Sequence, residues 1–354
     1  MTVNKLTDEQ SLFLDIVRLF LAIVVVIGHG FGFFLNYFNG FFPNYFPHPQ
    51  SIAVVCFFYL SGFLIVGSQI NQKNNGQANL YKYLFDRGVR IYATLIPCLL
   101  FVAVIDYFIN KSSLVKIDLI SNFATIDIFF KNLLLLPSMP FGTMRPIWSL
   151  MYEWWIYLLF GGLFFLKTNK ISATILIVIG AYYTFGVNAA GESGHIWIVW
   201  LLGGFCAYFH QKTPDQFWRS RKLGLDVLAS LLLAAALLMF FLAKSAYYLP
   251  AGISLSLFIF FVTIRTHKKQ SYLNVRLVRA LAGMSFTLFI THYTVLTFVK
   301  EVVGLTGWLG LWGGFLLSTL VAFVIAYYTE LRLKVIKSFI LRNFFRRLAV
   351  MASW

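Results

Sequence analysis

Long apolar segments, separated by short polar stretches, recur along nearly the whole chain of 354 residues. A helix of about 20 apolar residues crosses a hydrocarbon core of about 30 Å. The segments lack the alternation of apolar and polar positions that is typical of a membrane β-barrel. The pattern predicts an all-α, polytopic membrane protein with about ten transmembrane helices. The predicted spans are residues 11–34, 51–70, 90–109, 147–166, 171–187, 195–210, 224–243, 247–265, 280–300 and 306–329.

One further apolar segment, residues 118–136, differs from the predicted spans. Asp127 and Lys131 interrupt it, and Pro137 and Pro140 follow it. Charged side chains are costly in hydrocarbon, and proline ends or bends a helix. We therefore expect an interfacial or re-entrant helix here and not an eleventh span.

The composition agrees with a membrane protein. Hydrophobic residues make up 59% of the chain and charged residues 12%, whereas a soluble domain has about 45–50% and about 25%. The net charge of +16 would suggest nucleic-acid binding in a soluble protein. Here the basic residues lie between the apolar segments, as orientation signals do, so we expect no nucleic-acid partner. The three cysteines lie inside apolar segments without C-x-x-C spacing, and nothing in this pattern suggests a metal site.

The distribution of lysine and arginine predicts the orientation. With the N-terminus inside, all of the 29 basic residues but six fall on the inner side, and four of these six lie in the longest loop. The six are Lys111, Lys116, Lys131, Arg145, Lys244 and Lys300. By the positive-inside rule, both termini are cytoplasmic. We divide the chain into a membrane domain, residues 1–330, and a basic amphipathic cytoplasmic tail, residues 331–354, that would lie against anionic lipids.

Few ionisable side chains lie inside the predicted spans, and each is costly there unless it faces a cavity or a partner. Asp15 and Arg18 are three residues apart, so they share one helix face and can pair. His29 follows Arg18 by eleven residues, close to three full turns, which places both on the same side about 16 Å apart along the axis. One face of the first helix thus carries a cation near its inner end and an imidazole near its outer end.

Four more ionisable residues or pairs fall within or beside later spans. Arg87 and Arg90 lie at the predicted cytoplasmic end of the third span, where they could bind phosphate or act as an orientation anchor. On the predicted orientation, Glu153 lies in the outer half of the membrane at a depth like that of His29. His292 lies near the middle of the ninth span, and an interfacial carboxylate is an adequate interpretation of Glu330.

Five motifs in this order resemble those of the acyltransferase 3 family of integral membrane acyltransferases. They are Arg18 with ten residues before His29, the second-span stretch from Phe57 to Leu64, Arg87-x-x-Arg90, Trp148-Ser149-Leu150 with Glu153, and the stretch from Ser285 to His292. The resemblance covers most of the chain. One departure is Ala93, which stands where a proline is common in the family, whereas Pro97 follows four residues later.

The resemblance implies transfer of an acyl group, usually acetyl, from acyl-coenzyme A to a hydroxyl of a carbohydrate such as a cell-surface polysaccharide or its precursor. The expected partners are acyl-CoA, most often acetyl-CoA, as donor substrate, a carbohydrate acceptor and the lipid bilayer. We expect the protein in the plasma membrane, the inner membrane of a bacterium. A transporter or flippase of a lipid-linked sugar is the alternative, because buried charges in ten spans would suit it as well.

The roles that we expect follow from the resemblance and from side-chain chemistry. His29 would act as the general base, since an imidazole titrates near neutrality, with Glu153 or Asp15 orienting an imidazole or a sugar. Direct transfer is preferred, but an acyl-imidazole on His29 stays possible. The expected donor-binding residues are Arg18, Arg87 and Arg90, and the expected acceptor-binding residues are Trp148, Tyr152 and His292. A membrane-interface belt is the alternative for the tryptophan and the tyrosine.

Overall fold

The computed structural model describes residues 5–35, 48–112, 118–187, 195–242, 249–266 and 274–351. Within these residues every regular element is a helix, so the predicted all-α class is confirmed. The α-helices are α1 (Asp8–Phe34), α2 (Pro49–Asn74), α3 (Leu80–Ser112), α4 (Asp118–Phe123), α5 (Ile126–Leu133), α6 (Ile147–Phe165), α7 (Lys170–Ala181), α8 (Trp197–Lys212), α9 (Asp215–Ser220), α10 (Lys222–Leu242), α11 (Leu249–Arg265), α12 (Val275–Gly283), α13 (Ser285–Glu301), α14 (Gly307–Tyr328) and α15 (Leu333–Met351).

Within the described residues, each predicted span corresponds to a helix or to a bent or extended helix, but not every one has the length and composition to cross a bilayer. Residues 243, 247 and 248 of the predicted spans lie outside the described residues. Among the described residues, α1, α2, α3, α10 and the helical stretch 307–343 meet that length and composition. The pair α12 and α13, bent by 52°, would make a sixth. The structure therefore shows a multi-pass membrane protein, whereas the count of ten and the inside position of both termini stay predictions.

The segment between α3 and α6 forms two short helices, α4 and α5, of 6 and 8 residues. At 1.5 Å per residue neither can span a membrane. The buried side chain of Asn132 folds the chain that follows: its amide nitrogen donates to the carbonyl of Met139 at 3.0 Å, and its oxygen accepts from the backbone N–H of Phe141 at 2.8 Å. Asp106 on α3 then accepts from the backbone N–H and hydroxyl of Thr143 at 3.0 and 2.5 Å. This connection is thus fixed to the bundle just before α6.

Helices α2 and α8 approach closely because a glycine on each helix lies against the backbone of the other helix. A Cβ atom on Gly62 would lie 2.0 Å from the carbonyl oxygen of Trp200, and one on Gly203 would lie 2.1 Å from that of Tyr59. No side chain larger than hydrogen fits at either position. Small residues at helix interfaces are the usual way in which membrane helices pack backbone to backbone. The second-span stretch that the sequence singled out therefore includes a structural glycine.

The bend between α12 and α13 leaves the backbone N–H groups at the start of α13 without helical partners. Glu330, in the 3-10 turn Glu330–Arg332, accepts from the backbone N–H of Thr287 at 3.0 Å and from its hydroxyl at 2.6 Å. A carboxylate is favourable at this end of the helix dipole. Glu330 therefore caps a helix, a role beyond the interfacial carboxylate that the sequence suggested.

The basic tail forms one helix, α15, and Lys337 joins it to α3 through an ion pair with Asp86 at 2.6 Å. Val335 and Phe339 on α15 are more than 60% exposed, as an amphipathic helix requires. The division of the chain at residue 330 and the contact of the tail with lipid stay predictions. Residues 352–354 of the predicted tail lie outside the described residues.

We predict that Gly62→Ala destabilises the protein by about 1–3 kcal/mol, since an added methyl group must displace the backbone of α8. Thermal unfolding of the detergent-solubilised protein measures the effect as a lower midpoint. Gly224→Ala on α10 is the matched control, because a Cβ atom there would meet nothing within 4 Å. Equal midpoints for the two variants would contradict the close approach of α2 and α8.

Candidate active site

Arg18 and His29 both project from α1 toward the interior of the bundle. Arg18 is held by two contacts: its guanidinium lies 3.5 Å from the carboxylate of Asp15 and donates to the hydroxyl of Ser285 at 3.3 Å. Asp15, predicted as a catalytic candidate, is not among the described residues that line the two cavities below. The pairing of Asp15 with Arg18 that the three-residue spacing predicts is observed. The catalytic role of Asp15 stays a prediction.

A cavity of about 330 Å³ brings the three arginines of the sequence analysis together. Arg18 from α1 and Arg87 and Arg90 from α3 line it, and we call it the arginine cavity. Within the described residues, neither arginine of α3 makes an ion pair or a side-chain hydrogen bond. Arg87 is half-buried and Arg90 is exposed, so this end of the cavity meets solvent or headgroups. Unpaired guanidinium groups at the mouth of an apolar cavity suit a phosphate-bearing ligand.

Glu153 lines the arginine cavity and not the cavity that contains His29, contrary to the expectation from its predicted depth. Side chains from three helices form a chain of hydrogen bonds that ends at the carboxylate of Glu153. The indole N–H of Trp200 donates to the hydroxyl of Ser61 at 3.2 Å, Ser61 and the hydroxyl of Tyr157 are 2.8 Å apart, and Tyr157 donates to Glu153. Since an indole N–H only donates, the protons in this chain all point toward the carboxylate.

The position of α6 in the bundle explains why Glu153 does not line the histidine cavity. The depth predicted for Glu153 assumed that the span begins at the membrane boundary, but α6 begins at Ile147 between the two cavities. Trp148 lines one cavity and Ser149 lines the other. Glu153, five residues beyond the tryptophan, lies about 7.5 Å further along the helix axis, on the side of the arginines.

A second cavity, of about 410 Å³, contains His29, and we call it the histidine cavity. Its polar lining includes Gln50 and Ser51 at the start of α2, Arg145 and the indole of Trp148. The ring of Tyr293 stands edge-on to the imidazole of His29, with their centroids 5.5 Å apart. The half-buried imidazole thus faces a space that carries hydroxyl, amide, guanidinium and aromatic groups.

His292 is fully buried behind His29, with their ring centroids 5.2 Å apart. Its Nδ1 lies 2.8 Å from the carbonyl oxygen of Phe289, and because a carbonyl only accepts, this contact places the proton on Nδ1. Nε2 is then an acceptor with no partner among the described residues. His292 is not among the described residues that line either cavity, so it lies behind His29, and its predicted contact with the substrate stays a prediction.

The two aromatic candidates on α6 have different surroundings. Trp148 lines the histidine cavity beside His29, as the prediction of an acceptor contact requires. Tyr152 is 3% exposed, packs its ring 6.1 Å from that of Phe58 on α2 and is not among the described lining residues. The side chain of Tyr152 packs against α2, and its predicted contact with the acceptor stays a prediction.

The arginine cavity and the histidine cavity meet at two side chains. Val54 on α2 and Phe289 on α13 line both cavities. Apart from this apolar pair, the described linings of the two cavities share no residue. Val54 and Phe289 thus mark the place where the two cavities adjoin.

Several residues that the structure places in the two cavities were not predicted from the sequence. Tyr157 is four residues after Glu153 and so shares its helix face, a spacing that could have revealed the pair. Ser61 lies within the second-span stretch but was not singled out. Arg145 was counted only as one of the six outer cations, and no local pattern distinguishes it from an orientation signal.

Comparison with known proteins gives one match. The family model described as an acyltransferase domain, Acyl_transf_3, matches residues 11–329, a range that includes every lining residue named above. No curated protein and no solved structure matches the chain significantly.

We predict that Ser61→Ala and Tyr157→Phe are not additive in the free energy of unfolding, because both remove links of one chain of hydrogen bonds. A double-mutant cycle in detergent should give a coupling of about 0.5–1.5 kcal/mol. Ser61→Ala with Thr319→Val serves as the control pair, since the hydroxyl of Thr319 bonds a carbonyl of its own helix. Additive effects for the first pair would contradict the hydrogen-bonded chain.

Proposed function

Because this chain belongs to the acyltransferase 3 family and is a membrane acyltransferase, we propose that it moves an acyl group, most simply acetyl, from acyl-coenzyme A to a hydroxyl of a carbohydrate. The observation that carries this proposal is the pair of cavities, one lined by three arginines and the other by His29. The arrangement supports a donor site and an acceptor site that meet at Val54 and Phe289.

The arginine cavity would hold the nucleotide end of the donor. Coenzyme A carries several phosphate charges, and guanidinium groups bind phosphate through paired hydrogen bonds. Arg87 and Arg90 are the unpaired cations of the described lining, and Arg90 at the exposed end would meet the donor first. On the predicted orientation this end faces the cytoplasm, where acyl-CoA is made.

The thioester must then travel from the arginines to the imidazole. The pantetheine arm is roughly 15–20 Å long when extended, and Arg18 and His29 are separated by about 16 Å along α1. The arm would pass Val54 and Phe289, whose apolar surfaces suit its methylene groups. Glu153 and Ser61 in the arginine cavity offer acceptors for the amide N–H groups of the arm.

Transfer would take place in the histidine cavity. His29 removes the proton from the acceptor hydroxyl, the oxygen attacks the thioester carbonyl, and a C–O bond forms. The C–S bond breaks as the tetrahedral intermediate collapses, and the CoA sulfur takes up the proton from the imidazolium. The products are an acyl ester of the carbohydrate and free CoA. His292 would act as a positioning residue, because its bare Nε2 can accept an N–H from His29 and so leave the other nitrogen of His29 as the base.

We propose the plasma membrane as the location and a cell-surface polysaccharide or its precursor as the acceptor. The two cavities lie on opposite sides of one apolar constriction, an arrangement that suits a donor from one membrane face and an acceptor from the other. Trp148 in the histidine cavity supports a sugar, since an indole face stacks on the apolar face of a pyranose ring.

We predict that His29→Gln abolishes transfer but retains donor binding, whereas Arg90→Gln weakens donor binding. The glutamine at position 29 cannot act as a base at neutral pH, and the glutamine at position 90 loses a charged contact that is worth about a tenfold change in affinity or more. The measurements are acetyl transfer from labelled acetyl-CoA in membranes and thermal stabilisation of the solubilised protein by acetyl-CoA.

Arg276→Gln is the matched control for Arg90→Gln, because Arg276 is exposed on α12 and is not among the described residues that line the cavities. This variant should bind and react like the wild type. Full transfer activity in His29→Gln at normal abundance would overturn the proposed base. Wild-type stabilisation of Arg90→Gln by acetyl-CoA would overturn the proposed donor site.

We predict that Val54→Trp lowers transfer by about 100-fold, because the bulkier ring closes the passage and displaces the thioester from the imidazole. Binding of acetyl-CoA should persist, since the arginines are unchanged. Val54→Ala, which widens the passage, is the control and should retain transfer. Equal transfer by all three proteins would show that the arm does not pass between Val54 and Phe289.

A further inference from the structure

The histidine cavity carries a cation that the proposed reaction does not use. Arg145 lines this cavity together with His29 and is half-buried. Within the described part of the chain its guanidinium has no ion pair and no side-chain hydrogen bond, and the described lining of the cavity includes no carboxylate. A half-buried cation without a counter-charge is unfavourable in a membrane protein, and such residues mark binding sites.

The backbone holds Arg145 in place. The backbone N–H of Arg145 donates to the carbonyl of Thr143 at 2.8 Å, and Thr143 is tied to Asp106 on α3. Pro146 follows directly and leads into α6. Asp106 is already occupied by two hydrogen bonds from Thr143 and does not line the cavity, so it leaves the guanidinium free for a ligand.

Other polar groups of the cavity are also available for a ligand. Gln50 and Ser51 belong to the lining, and the side-chain oxygen of Gln50, which is buried near Gly28, has no hydrogen-bond partner in the described structure. An amide oxygen and a hydroxyl suit the hydroxyl groups of a sugar, as Trp148 suits its ring. Arg145 adds a positive charge, which a neutral sugar does not need.

We propose that the carbohydrate acceptor carries an anionic group, a carboxylate or a phosphate, which Arg145 binds while the hydroxyl to be acylated lies against His29. The inference rests on the proposed function and names the chemical class of its acceptor. Both groups present two oxygen atoms to the fork of a guanidinium, so they share one recognition chemistry. The charge then selects the acceptor and fixes which hydroxyl reaches the base.

Three matched acceptors test this proposal with the purified protein and labelled acetyl-CoA: a uronate-containing oligosaccharide, its carboxyl-reduced neutral form and a phosphorylated form of the neutral sugar. We expect the wild type to use at least one anionic form with a KM about 10- to 100-fold lower than that of the neutral form. The better of the two anionic forms identifies whether the group is a carboxylate or a phosphate.

Arg145→Gln should raise the KM for the anionic acceptor to that of the neutral one, so that the ratio of the two KM values falls to about one. Arg145→Glu should favour an amino sugar over the uronate. Lys131→Gln is the matched control, because Lys131 belongs to the same connection but pairs with Asp127 at 3.3 Å and is not among the described lining residues. A readout without turnover is thermal stabilisation by the uronate, which Arg145→Gln should lose.

Two results overturn the inference alone. One is transfer by the wild type without a preference for charge. The other is an equal loss of kcat for charged and neutral acceptors in Arg145→Gln, which would place the guanidinium at the thioester carbonyl and not at the acceptor. A wild type that neither binds acetyl-CoA nor acylates any acceptor would overturn the proposed function, and this inference with it.

Discussion

A polar side chain inside a bilayer must find its partner within the protein, because the hydrocarbon offers none. This constraint decides how the centre of the bundle is built. Gly62 and Gly203 let α2 and α8 touch backbone to backbone, and this contact brings the indole N–H of Trp200 to Ser61. From Ser61 the hydrogen bonds continue through Tyr157 to Glu153. On the other side of the same cavity, Ser285 holds Arg18 at the start of a helix that Glu330 caps. Arg87, Arg90 and Arg145, which have no ion pair in the part of the chain that the structure describes, line the two cavities.

The two cavities separate the three clustered arginines from the candidate base His29. The arginine cavity gathers three cations near one end of the bundle, and the histidine cavity sets an imidazole among neutral polar groups and one cation. Val54 and Phe289 separate them with apolar surface. With the proposed donor, such a separation would keep the charged phosphates away from the reacting carbonyl and admit only the thin arm that carries the thioester. The distance between Arg18 and His29, set by three turns of α1, then matches the reach of a pantetheine arm.

The sequence predicted the parts of this arrangement that depend on a single helix. Apolar length gave the helices, and the eleven-residue spacing gave the shared face of Arg18 and His29. Contacts between helices could not be predicted from the sequence. Glu153 was placed too close to His29, because the start of α6 within the bundle depends on a connection folded around Asn132 and Asp106. Periodicity does not show which face of a buried helix meets a cavity, so it could not predict that Tyr152 packs against Phe58 or that His292 lies behind His29. Arg145 lies in the connection before α6, where no local pattern distinguishes a cavity residue from an orientation signal.

The central claim is that the donor lies across the constriction, with its phosphates among the arginines and its thioester at His29. A cryo-electron microscopy structure with a non-hydrolysable thioether analogue of acetyl-CoA tests this directly. The account predicts phosphate density at Arg87 and Arg90, continuous density between Val54 and Phe289, and the acyl carbonyl carbon within about 4 Å of the imidazole of His29. Phosphate density in the histidine cavity, or an acyl group that stays beside Glu153, would contradict it.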